Sequence, residues 1–144
     1  MKNINNYIKI DKYISSSGQP TKEQFKLIAK KGFEVVINLG VNDFKRGALK
    51  QEDKIVVKNK MIYYHIPISW ENPELDRLYL FLDTLKMLQK QNKKIWIHCM
   101  KNYRVSVFLY RYKKDILKQK AIKFIAPKEY KPNKVWKKIL KGKI

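Results

Sequence analysis

Three short apolar runs set the frame for this chain: FEVVINLG (33–40), MIYYHIPI (61–68) and KIWIH (94–98). Each is dense in Val, Ile or aromatic residues and too short to stand as a helix, so all three read as strands, the glycine-bounded first one as a buried parallel strand. The chain between them has helical periodicity. Thr21 followed by Gln24 makes a capping box for a helix with Phe25, Ile28 and Ala29 on its apolar face, ended by Gly32. Asn72-Pro73 opens a long helix with Leu75, Leu78, Leu82, Leu85 and Leu88 along one side, and Leu49, Ile55 and Val56 mark a second helix ahead of MIYYHIPI. Strands that alternate with helices imply a parallel sheet with right-handed crossovers. The expected fold is α/β, a central, mostly parallel sheet flanked by helices, in one domain over residues 1–144.

The flanking segments carry weaker patterns. YIKIDKYI (7–14) alternates loosely, as an edge strand or hairpin does, and the SSSGQPT that follows has turn chemistry. RVSVFLYRYKKDIL (104–117) reads as a largely buried helix. Beyond Pro127 and Pro132 a short last helix presents Trp136, Ile139 and Leu140. Trp70, Trp96 and Trp136 read as packing residues, and His65 and Arg111 as structural ones.

The one cysteine, Cys99, falls where KIWIH gives way to the next helix, in IWIHCMKNYRVSVF. Ligands of open α/β sheets bind beyond the carboxyl ends of the strands. A thiol near a helix N-terminus, with Arg104 five residues on, has its thiolate favoured by the helix dipole and the guanidinium, and successive loop N–H groups can cradle an oxyanion there without a metal. A lone cysteine on an apolar strand is, as a rule, an inert core residue. Position alone therefore leaves both readings open.

HCMKNYRVS (98–106) resembles the active-site loop of the cysteine-dependent phosphatases, the protein tyrosine and dual-specificity superfamily, whose pattern is HCxxGxxR followed by Ser or Thr. SGQPTKEQFKLIAKKGFEVVINLG, YYHIPISWENPE and KPNKVW resemble a bacterial branch of tyrosine-phosphatase-like proteins, so the likeness covers roughly residues 7–140. The resemblance implies hydrolysis of phosphoric monoesters through a phosphocysteine on Cys99. It implies that Arg104 and the loop of Met100, Lys101, Asn102, Tyr103, Val105 and Ser106 hold the phosphoryl group, and that a carboxylic acid protonates the leaving oxygen. A phosphorylated protein, lipid headgroup or small molecule would be the substrate.

The spacing departs from that pattern, because four residues separate Cys99 from Arg104 where the superfamily has five. Aligned without a gap, Asn102 replaces the loop Gly, Val105 stands at the Arg position and Ser106 at the hydroxyl position. Asn suits a left-handed turn. One residue, however, rotates a helix by about 100°, so either the loop is rebuilt to bring Arg104 onto the phosphate or catalysis is weakened. The bacterial branch that the other segments resemble also has a shortened spacing, which favours a rebuilt loop.

For the general acid, SWENPELD offers Glu71 and Asp76. Glu71, in the loop beside Trp70, is the better candidate, whereas Asp76 belongs to a first helical turn where a carboxylate complements the dipole. Asp43, after VVINLG, is a weaker alternative at the same sheet edge. His98 either steers the thiolate region or bonds to backbone, and Ser106 either bonds the thiolate or opens the helix. With one Cys and two separated His, no metal cluster is expected, nor any cofactor.

Charge leaves other functions in play. The 33 basic against 12 acidic residues give a formal +21, which attracts polyanions at low salt. Twenty-nine of the basic residues are Lys and only four are Arg, the residue that base reading and bidentate phosphate recognition favour, so much of the charge reads as background. Residues 113–144 hold 12 Lys against Asp115 and Glu129, and this tail reads as a solvated helical face open to non-specific polyanion contact. Three alternatives to the phosphatase remain: a catalytically impaired phosphate-binding module (a pseudophosphatase), a rhodanese-like sulfurtransferase, whose loops also put Cys first and Arg last, and a basic nucleic-acid binder with this fold. MKNINNYIKI lacks the apolar core of a signal peptide, and no run approaches the roughly 20 apolar residues of a bilayer span, so a soluble cytoplasmic protein is expected.

Overall fold

A computed structural model describes residues 1–142. In chain order the elements are β1 (Ile8–Lys9), β2 (Ile14–Ser17), α1 (Lys22–Lys30), β3 (Val35–Asn38), α2 (Glu52–Lys58), β4 (Ile62–His65), α3 (Leu75–Lys90), β5 (Ile95–His98), α4 (Tyr103–Arg111) and α5 (Lys134–Lys141). The five strands form one sheet in the order β1-β2-β5-β3-β4. Only the β1–β2 pair is antiparallel; β2–β5, β5–β3 and β3–β4 are parallel. This is the mixed, mostly parallel α/β sheet that the alternating pattern predicts. β5 lies in its middle, with His98 in register with Ser17 on one side and Asn38 on the other.

Side chains on a strand alternate between faces, and the two faces of β5 have different neighbours. Ile95, Ile97 and Cys99 join the cluster built from α3, α4 and α5, with Leu78, Phe81, Phe108 and Trp136. Trp96 packs on the opposite face with Phe25 and Ile28 of α1 and Val56 of α2, and the His98 ring stands edge-on to Phe25 at 5.8 Å. Cys99 and His98 are thus adjacent in sequence but lie on opposite sides of the sheet. α1 has the capping box read from the sequence, with Thr21 Oγ1 accepting from Gln24 N–H and Gln24 Oε1 from Thr21 N–H. The leucine stripe of α3 is buried at Leu78, Leu82, Leu85 and Leu88.

Two segments differ from their sequence reading. Ser15–Ser17, read as part of a turn, form the buried strand β2. Their small side chains fit under larger polar ones, Ser17 Oγ accepting from Trp96 Nε1 (2.9 Å) and Ser16 Oγ from Asn102 Nδ2 (3.0 Å), and ladder pairing overrides their turn propensity. The helix expected over 104–117 is α-helical only to Arg111 and continues as a π-helical turn over Tyr112–Ile116. Among the described residues no helix is long and apolar enough to cross a membrane.

Candidate active site

Three loops at the carboxyl ends of the strands enclose a cavity of about 710 Å³. The β5–α4 loop lines it with Cys99, Met100, Lys101, Tyr103 and Arg104, the loop after β4 with Ser69, Trp70 and Glu71, and the loop after β3 with Val41, Asp43 and Arg46. The structure therefore brings Cys99, Arg104, Glu71 and Asp43 to one cavity. Asp76 sits exposed in the first turn of α3 and does not line it. Cys99 is only 1% exposed and Arg104 8%, so both meet the cavity from the protein side.

The geometry of residues 99–102 follows from where their carbonyls go. Cys99 O faces His98 Nδ1 (3.2 Å), Met100 O accepts from Gln19 N–H (2.9 Å), and Lys101 O accepts from Asn6 Nδ2 (2.9 Å). Asn102 O accepts from Ser106 Oγ (2.6 Å) and Ser106 N–H (3.2 Å). Every carbonyl of the loop is thus tied to the scaffold. The amides of residues 100–105 donate to no other backbone or side-chain group among the described residues. In a trans peptide the N–H points opposite to the C=O, so tethering the carbonyls outward leaves the amides free to converge. Gly18 permits this closeness, because a Cβ there would lie 2.5 Å from Met100 O.

Asn102 carries the turn into α4 in a left-handed conformation (φ 69°), as its place in the sequence suggests. Its amide nitrogen donates to Asn6 O (2.9 Å) and Ser16 Oγ (3.0 Å). Replacing Asn102 by Ala combines left-handed strain on a Cβ residue with two lost hydrogen bonds, and is expected to destabilise the fold by about 2–4 kcal/mol in urea unfolding. Asn102→Gly removes the strain but not the loss of partners, and should fall between the two.

The shortened spacing is accommodated. Arg104 reaches the cavity, with Nη1 donating to Ile68 O (2.8 Å), while Val105, one residue on, is fully buried in the core. The other arginines pair with carboxylates: Arg46 with Asp43 (3.4 Å), Arg77 with Glu74 (3.1 Å) and Arg111 with Asp115 (2.7 Å). Arg104, although buried, pairs with none among the described residues. Ser106 spends its hydroxyl proton on Asn102 O and so acts within the helix start. His65 bonds Gly40 O (2.7 Å) and Arg111 bonds Ile139 O (2.7 Å), both structural.

An aromatic wall completes the site. Tyr103 stacks on Tyr130 at 4.2 Å and donates to Glu129 (2.9 Å), and Trp70 stacks on Trp136 at 5.5 Å. Three donors hold the loop that carries Glu71: Arg77 Nη1 on Pro67 O (2.9 Å), Arg104 on Ile68 O, and Trp136 Nε1 on Trp70 O (2.8 Å). The Tyr130 hydroxyl is buried, and that burial pushes its pKa up and keeps it protonated. Behind the loop, on the other face of the sheet, His98 Nε2 meets Glu52 Oε2 at 2.8 Å. Burial would raise the Glu52 carboxyl, but the His98 charge and hydrogen bonds from His98, Gln19 and Tyr63 outweigh it and bring it below the ordinary 4.5. Sequence reasoning missed Glu52, Asn6 and Gln19, whose partners are distant in the chain.

A family profile described as a DSP-PTPase phosphatase fused to NAD+ kinase matches residues 6–137. Among solved structures, a DUF442 candidate phosphatase from Shewanella putrefaciens CN-32 is 30% identical, with a TM-score of 0.85, covering 98% of this chain and 92% of its own. Tk-PTP in its active form superposes at TM-score 0.77 with 18% identity, covering 96% of this chain and 95% of its own. The core catalytic domain of the Saccharomyces cerevisiae PP-IP phosphatase SIW14 superposes at 0.64 with 18% identity, covering 77% and 66%; these two likenesses show the fold. No curated protein matches the chain. On the strength of the profile and the Shewanella relative, the chain belongs to the DSP-PTPase family of the cysteine-dependent phosphatase superfamily.

Proposed function

We propose that the chain hydrolyses phosphoric monoesters through a phosphocysteine on Cys99. The observation that carries this reading is a buried guanidinium without a carboxylate, beside a thiol and a run of uncommitted amides. A buried charge is costly unless paired, and a bound phosphoryl dianion would pair it. The Cys99 thiolate attacks phosphorus, the bond to the ester oxygen breaks, and that oxygen leaves as an alcohol or phenol with a proton from Glu71. Water then attacks phosphorus as the Glu71 carboxylate takes its proton, the P–S bond breaks, and inorganic phosphate departs with the thiolate and the Glu71 acid restored. Arg104 and the amides of the Cys99 loop stabilise the charge on the equatorial oxygens throughout.

Glu71 is the preferred acid because it lines the cavity on the tethered loop, whereas Asp43 already shares its carboxylate with Arg46 (3.4 Å). Glu71→Gln is expected to lower kcat by roughly 10²-fold on alkyl phosphates, whose leaving group needs the proton, and by much less on p-nitrophenyl phosphate. Asp76→Asn should stay near wild type on both. A leaving-group-dependent loss in Asp43→Asn instead would move the acid to the β3 loop.

Turnover of aryl phosphates that depends on Cys99 tests the reading as a whole. Tight inorganic phosphate binding without turnover would mark a binding module, and cyanolysis of thiosulfate a sulfurtransferase. Nucleic-acid affinity that is steeply salt-dependent and indifferent to Cys99 would point to the basic surface instead.

A further inference from the structure

The chemistry above makes no use of the outer face of α5. The inner face of that helix is spent: Trp136 and Ile139 are buried in the core cluster, and Asn133 caps the helix by accepting from Trp136 N–H (3.0 Å). The outer face holds Lys134, Lys137, Lys138 and Lys141, all exposed, and all four line one surface hollow of about 340 Å³. Residues three and four apart on a helix face one another, so this stripe sets like charges side by side. None of the four pairs with a carboxylate among the described residues. Asp115 is taken by Arg111 (2.7 Å), whose Nη1 also donates to Ile139 O of α5 (2.7 Å). At the far end Lys114 Nζ donates to Lys141 O (3.2 Å) and adds a further cation.

We propose that the lysine face of α5 is a docking surface for the phosphate backbone of nucleic acid, a second function separate from the Cys99 cavity. Background composition does not account for this face. The same lysine-rich chain places acids in the first turns of α1 (Glu23), α2 (Glu52 and Asp53) and α3 (Asp76), whereas α5 opens on Lys134, against its own dipole, and no acid follows Glu129. Unpaired cations around one hollow are neutralised by a line of anions. The stripe from Lys134 to Lys141 runs about 10 Å, the axial length of about three phosphates on one strand. Lysine is a point charge suited to backbone phosphates. α5 has no Arg to fork onto a base, and its one aromatic, Trp136, is buried, so the contact is with the backbone and neutral to sequence. A bilayer fits less well, because the apolar face it needs is spent in the core and, of the large apolar side chains of α5, only Val135 is exposed.

The probe is a fluorescein-labelled single-stranded DNA of mixed sequence and about 20 nucleotides, its anisotropy titrated with the full chain over a series of salt concentrations. Lys134→Gln, Lys137→Gln, Lys138→Gln and Lys141→Gln combined keep helix-forming residues at all four places, and the fold is checked by circular dichroism. Affinity at about 50 mM salt is expected to fall on the order of 10²-fold, and the slope of log K against log salt to flatten by about 2. A control removes the same number of charges from the opposite side of the sheet, as Lys22→Gln, Lys26→Gln, Lys30→Gln and Lys58→Gln combined, and should stay within about threefold of wild type. Equal losses in the two variants would mean attraction to net charge alone and would overturn the proposal, as would wild-type protein that leaves the DNA free at about 50 mM salt. Vesicles of phosphatidylserine and phosphatidylcholine are titrated beside the DNA. If they bind more tightly than the DNA and lose only the α5 variant, the occupant is a bilayer and the proposal falls. Turnover of p-nitrophenyl phosphate should be unchanged in both variants, because no lysine of either set lines the cavity, so this inference and the phosphatase reading stand or fall separately.

Discussion

Cys99→Ser is expected to lower p-nitrophenyl phosphate turnover by on the order of 10⁴-fold or more, while the fold and the affinity for inorganic phosphate survive. The size of the loss follows from the nucleophile. Sulfur is the stronger nucleophile toward phosphorus and the better leaving group when the phosphoryl-enzyme is hydrolysed; a serine oxygen in the same place is far weaker in both roles. His98, the nearest imidazole in sequence, lies on the opposite face of the sheet, bonded to Glu52. The change is nearly isosteric at a position only 1% exposed, so packing with Val105 and Ile97 is retained. Phosphate binding survives because the contacts proposed for it come from backbone amides and Arg104. Residual turnover within tenfold of wild type would overturn the phosphocysteine. Equal and negligible turnover in both proteins, with phosphate still bound, would leave a binding module.

The fold was legible because burial marks the sequence, as short unbroken apolar runs in the strands and as helical period between them. Val35, Ile37, Ile95 and Ile97 face one cluster and Val36 and Trp96 the other, so burial on both faces leaves each run as a nearly unbroken apolar stretch. The capping box at Thr21 is a local signal, and local signals survive in a single sequence. Cys99 could be singled out as a candidate because the loop motif around a strand-to-helix thiol is local too. What failed to show was long-range pairing between polar residues. Glu52 and His98 are 46 residues apart, and Asn6 and Lys101 are 95 apart. Asn5 and Asn6 read as an unremarked polar start, yet Asn6 pins a loop carbonyl. Ser15–Ser17 read as a turn because serine propensity is local, whereas the parallel ladder to β5 is not. Trp70, read as packing, does pack on Trp136 but also lines the cavity, a double role that no spacing rule separates.

Arg104 is the other residue on which a large effect is expected, and its two roles can be measured apart. Its guanidinium has five donors; one nitrogen is engaged by Ile68 O, which couples the loop carrying Glu71 to the loop carrying Cys99. The remaining donors are free for phosphoryl oxygens. Arg104→Ala therefore removes a transition-state donor, a buried charge and an inter-loop tether, and kcat/KM is expected to fall by roughly 10³-fold, together with a marked loss of inhibition by inorganic phosphate. Arg104→Lys keeps the charge but neither the planar fork nor the reach to bond Ile68 O and phosphate at once, so it should recover only a small part of the loss. Arg77→Ala serves as the control for the tether. It releases Pro67 O from the same loop, and Arg77 does not line the cavity. If loop coupling dominates, Arg77→Ala lowers kcat nearly as far as Arg104→Ala, with phosphate inhibition unchanged in both. If the guanidinium holds the phosphoryl group, only the Arg104 variants lose phosphate inhibition, and Arg77→Ala costs less than about tenfold. A kcat/KM in Arg104→Lys close to wild type would mean that a point charge suffices at residue 104 and that the planar fork of the guanidinium is not required.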